Sequence, residues 1–210
     1  MSEPLYVTSP TSVKAGPFTR ACQAAYLIGK VINALNELSA ETETRFTSAL
    51  QIYRILCPFV KVVKEEFARS PDQFATAMAL AHSAMLSLSD PFICTIMDNG
   101  AHTPEEFELQ TLFIEGLMVS SNDIVAFAAD LRSSMTQRPA AIPILVGNCL
   151  YLGAANCAWR VYEGERGDMV ESYQNLREVL GILDGRWAVG GEYLKCIEKA
   201  KETLYPSLLL

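Results

Sequence analysis

The stretch "ILVGNCLYLGAANCAWRVY", Ile144 to Tyr162, is apolar nearly all the way round. A helix of that composition has no face to give to water, and its stable place is the middle of a helical bundle. Pro139 and Pro143 precede it and "EGERGDM" follows, both breaks of the kind Pro and Gly impose. The rest of the chain must supply the helices that cover it.

The flanking segments are built for that. Ala21, Ala24, Ala25, Ile28, Ile32 and Leu35 recur at three and four residues, the period of one helix face. The small residues in this stripe and Gly29 predict close packing against a neighbouring helix. A second stripe follows with Phe46, Leu50, Tyr53, Leu56 and Val60, with Ser39, Thr42 and Glu43 as capping chemistry and Pro58 as its end or kink. Ser70 before Pro71 reads as a cap with proline at the first helical position, opening a stripe of Phe74, Met78, Ala81, Met85 and Leu88. "SLSDPF" and "DNGAHTPEEFE" read as breaks, and Thr103 with Glu106 as a capping box. "EEFELQTLFIEGLMV" and "SSNDIVAFAADLRSSM" then read as two helices. Tyr173, Leu176, Leu180, Leu183 and Trp187 form a further stripe, and "GEYLKCIEKAKETL" a last helix ending at Pro206. No stretch alternates with period two. The expectation is an all-α, single-domain antiparallel bundle of about seven to nine helices over 18–210, after an irregular segment over 1–17.

Composition narrows the function. Of 210 residues, 50% are hydrophobic and 20% charged, which argues for a packed core and against disorder. The net charge of −7 and the lack of any basic cluster make phosphate binding unfavourable, so direct nucleic-acid contact is not expected. Six cysteines, at 22, 57, 94, 149, 157 and 196, show no zinc-ribbon or redox spacing and read as buried small hydrophobes in a reducing compartment. The first residues, "MSEPLYVTSP", lack the charged and apolar regions of a signal peptide, and no run approaches ~18 uninterrupted apolar residues. The expectation is an intracellular soluble protein.

Sites with chemistry are sparse. His82 and His102 are the only histidines, and they lack ligand spacing. "NDIVAFAAD", Asn122 to Asp130, resembles the second magnesium motif of terpene cyclases, but Ala126 stands where an oxygen ligand is needed. Gly147 and Gly153 lack the lysine and spacing of a phosphate loop. No nucleophile is set in an elbow pattern. Trp159 and Trp187 suit the edge of a core, with a weaker reading as contacts for an effector or partner. "LREVL", Leu176 to Leu180, matches the core stripe better than a coactivator motif. The tail "YPSLLL" reads as a docking or association segment.

Taken in order, the motifs resemble the regulatory, or middle-homology, region of fungal zinc-cluster transcription factors. "ACQAAYLIGKVINAL" is similar to that family's "A-x-x-LLG-x-VL" helix, and "FATAMALAHSAMLSLSDPF" to its alanine-rich helix. "IVAFAADL" followed by "AAIPILVGNCLYLGAANCAW", then "LREVLGILDGRWAVGGEYLKCI", continue the series, with Gly190 where the family has alanine. The resemblance spans Cys22 to Ala200. It implies a nuclear, non-catalytic domain without cofactors. Such a domain restrains or licenses activation through a protein partner, its own DNA-binding module or a small apolar effector; a homodimer is a separate expectation. Zinc would belong only to a DNA-binding module lying N-terminal to this region, since the six cysteines here are scattered. The alternatives are a helical enzyme using magnesium at Asn122–Asp130, and a plain dimerisation adaptor working through Tyr205 to Leu210.

Overall fold

The computed structural model describes residues 13–36, 42–93, 104–137, 142–164 and 167–204. Among these there are seven α-helices and no strand. They are α1 (Pro17–Asn36), α2 (Thr42–Arg69), α3 (Pro71–Ile93), α4 (Pro104–Gln137), α5 (Val146–Tyr162), α6 (Asp168–Asp184) and α7 (Val189–Leu204). The expected all-α bundle is what forms. Its contacts cluster into two compact units, 1–120 and 121–210, and the division falls inside α4.

In the first unit α1 packs chiefly on α3, and α2 packs on both. Alanine explains the closeness. Ala77, Ala79 and Ala81 of α3 are completely buried, and Ala24 of α1 is too. An aromatic cluster closes the other side. Tyr53 meets Phe113 edge-on at 5.2 Å, and Phe92 stacks on Phe113 at 4.9 Å. The Tyr53 hydroxyl donates to the Leu112 carbonyl at 3.1 Å, and its ring lies where Gly116 would carry a Cβ.

Several boundaries differ from expectation. Pro58 does not end α2, which continues to Arg69. Pro58 and Arg54 are both exposed, so the carbonyl deprived of its helical partner faces water, while Phe59 and Val63 stay buried. "SLSDPF" is helical, as α3 runs through Pro91 to Ile93. The two helices expected around "SSND" are one, α4. Ser120 and Ser121 are buried within it rather than capping a new helix. Ser39, Thr103, Cys94, His102 and Pro206 lie outside the described residues.

In the second unit α5 is the centre, as its composition requires, with most of its residues buried. It runs antiparallel to α6: Gly147 lies against Leu183 and Gly153 against Leu176. Gly164 (φ +102°) and Gly167 (φ +90°) supply the left-handed backbone of the turn between them. Leu176, Val179, Leu180 and Leu183 are buried, so "LREVL" belongs to the core. Between α6 and α7 a Cβ on Gly190 would stand 2.6 Å from the Leu180 carbonyl and the Asp184 nitrogen. Only glycine fits this corner, and Gly191 N–H donates to Asp184 Oδ1 at 2.8 Å.

Two stretches, Phe46–Arg69 and Phe107–Ser133, are long and apolar enough to cross a membrane by length and hydropathy. Both carry charges along their length and buried core residues along one face, a pattern that core helices of soluble bundles also give.

Candidate functional site

The surface that most invites a partner is the outward face of α1. The buried face of this helix is Arg20, Gln23, Ala24, Leu27 and Val31. It lies about a quarter turn from the apolar stripe that the sequence marks for burial. Arg20 is the cause. Only 1% exposed, it donates through Nε to Glu66 Oε2 at 2.9 Å and through Nη2 to Glu66 Oε1 at 2.9 Å. Its Nη1 donates to Gln23 Oε1 at 3.0 Å, and Nη2 also reaches the Val13 carbonyl at 2.9 Å. A guanidinium so fully satisfied, bidentate on a carboxylate, can sit inside a core. It ties α1 to α2 and fixes which side of α1 faces inward.

The consequence is an apolar exterior. Phe18 is 82% exposed, Ile32 49% and Tyr26 43%. Phe18, Cys22, Ala25, Gly29 and Ile32 follow one another at spacings of four and three, the seam of a helix that meets another helix. Gly29 does not pack against a neighbour as expected: a Cβ there would meet nothing within 4 Å. α1 contains no Asp or Glu. Lys30 leans back over the Tyr26 ring at 5.5 Å from its centroid. Sequence reasoning missed Arg20 and Gln23 because hydropathy assigns them to water. The four-three spacing from Phe18 to Ile32 is the signal that marks the outward seam.

The other candidates are placed separately. Trp187 follows α6, donates its Nε1–H to the Ile142 carbonyl at 3.2 Å and carries Arg186 over its ring at 4.9 Å. Trp159 is half-buried near the far end of α5, which rises about 20 Å from its first turn to that position. The two tryptophans are not brought into one site.

Asn122 and Asp130 share a face of α4 and are exposed, with the Ala126 methyl between them. Asn122 Oδ1 accepts from Arg160 Nη1 at 3.0 Å, so the oxygen a cation would need faces a guanidinium. Among the described residues no three His, Cys, Asp or Glu side chains gather to hold a metal. His82 is completely buried in α3. Gly147 and Gly153 serve packing: Cβ atoms there would lie 3.1 Å from the Tyr193 ring and 2.7 Å from Ile124.

The described cysteines are free thiols, not disulfides. Burial pushes the Cys157 thiol up from its ordinary value, with Ser121 and Arg160 partly offsetting this. Burial likewise pushes Cys57 up, with the neighbouring Tyr53 hydroxyl and Lys61 partly offsetting this. Both are held protonated, the unreactive form. A groove of about 410 Å³ runs between α4 and α6. Arg132 closes on its wall through Glu178 at 2.9 Å and Asn175 at 3.3 Å.

The chain matches no protein-family profile, no curated protein and no solved structure.

Proposed function

We propose that this chain is a non-catalytic regulatory domain of the fungal zinc-cluster transcription-factor type, working in the nucleus, and that it meets protein through the outward face of α1. The docking part of this reading is carried by one observation: a seam with Phe18, Ala25 and Ile32 exposed, flanked by exposed Tyr26, lies on a helix without acidic side chains. Burying Phe18 alone against a partner contributes about 2 kcal/mol. The regulatory part is supported by the order of helix motifs from Cys22 to Ala200. Regulation follows if the partner binds one packing of the domain better than another, which shifts the population between them. The separation of Trp159 from Trp187 favours a protein partner over a small apolar effector.

The test joins the chain to an unrelated DNA-binding module upstream of a reporter. The attached chain is expected to change reporter output, and Phe18→Asp with Ile32→Asp to remove most of that change. An attached, folded chain with no effect on output overturns the regulatory part. An effect untouched by the double substitution overturns the docking part.

A further inference from the structure

We infer that the protein seated on the α1 face is a second copy of this chain, held by an antiparallel α1–α1 pair. The inference rests on the docking reading above and names the occupant. Three observations on the helix support it.

The seam is self-complementary. Phe18 projects furthest, and Gly29, three turns along the same face, has open space where a side chain would be. A two-fold axis across the helix places each Phe18 over the other copy's Gly29. Cys22 of each copy then lies level with Ala25 of the other. A two-fold pairing needs one patch that carries both the projection and the recess, and this helix carries both. The antiparallel arrangement also sets the two helix dipoles against each other favourably.

Charge selects the same face. The chain carries −7, so two copies repel through most of their surfaces. α1 contributes no carboxylate, and its exposed charge is Lys30. An oppositely charged partner would be drawn to the acidic faces; a second acidic copy meets least resistance here.

The area is adequate for a weak dimer. Phe18, Tyr26 and Ile32, with Ala25 and the Lys30 stem, offer roughly 400–500 Å² per copy. Two copies would bury roughly 800–1,000 Å², the low end for specific, reversible association.

Sedimentation and light scattering on the full chain across a concentration series test this. The expected mass rises from 23.1 kDa toward twice that as concentration increases. Phe18→Asp removes the projection and Gly29→Leu fills the recess. Both sites face solvent, so helical circular dichroism is retained while each variant stays at monomer mass. Oxidising an Ala25→Cys variant is expected to yield a covalent dimer that Cys22→Ala abolishes, which reads the register directly. A wild-type mass that never rises overturns the inference, and so does a dimer that survives both Phe18→Asp and Gly29→Leu. The docking reading is judged apart. A chain that is always a monomer, yet loses reporter output with the Phe18→Asp and Ile32→Asp pair, keeps its docking face with a different occupant. A dimer whose loss leaves output unchanged does the reverse.

Discussion

Arg20 sets the character of the first unit. Its charge is tolerated because Glu66, Gln23 and the Val13 carbonyl satisfy it together. Removing one partner of such a buried pair leaves the other uncompensated. Arg20→Met alone is expected to cost about 3–5 kcal/mol in urea unfolding. Arg20→Met combined with Glu66→Leu should recover much of that, because two apolar side chains need no partners. Gly190 is the other decisive residue, since its neighbours at the α6–α7 corner are backbone atoms that cannot rotate aside. Gly190→Ala is expected to lower stability by about 2 kcal/mol or more, read from the urea midpoint.

At the scale of the element, helices are governed by where their weak points face. Pro58 lies on the solvent side of α2, so Pro58→Ala should restore a helical hydrogen bond without disturbing the core. A rise in stability of roughly 1–3 kcal/mol is expected, measured by thermal unfolding. Gly29→Ala on α1 should add about 1 kcal/mol, since its Cβ enters open space. The opposite sign is expected at Gly153→Ala, which drives a methyl into Ile124. Periodicity made the helices themselves legible, and the all-round apolar character of α5 correctly placed it in the interior. It misjudged α1 because a stripe of alanines is weakly apolar on either side. One buried ion pair outweighed it. It also split α4 at "SSND", since serine and asparagine are good caps. In the fold Ser121 instead lies 3.9 Å from the Cys157 thiol, and Asn122 accepts from Arg160.

Across the whole molecule, several buried thiols and phenols share one electrostatic consequence. Burial raises Tyr53, Cys57, Cys157, Tyr173 and Tyr193 above their ordinary values. Above about pH 8.5 the unfolded chain begins to release thiol protons that the folded chain keeps. The unfolded state then binds fewer protons, so stability falls as pH rises. Below that range these groups are protonated in both states and contribute no slope. Urea midpoints measured from pH 7 upward should be flat at first and then decline. Replacing Cys57 and Cys157 with alanine should flatten the onset of that decline. A midpoint that rises with pH would contradict the burial of these groups.

The sequence by itself determined that the chain is helical, that α5 is central, and that Gly147 and Gly153 are packing residues. These follow from local period and from side-chain volume, which any arrangement of the helices must respect. Tertiary structure alone decided which way α1 faces, that α4 is unbroken, and that Trp159 and Trp187 lie at different places. Each of these depends on a partner distant in sequence. Glu66 is 46 residues from Arg20, and Arg160 is 38 from Asn122. A pattern read along one helix cannot register a contact that exists only when two helices meet.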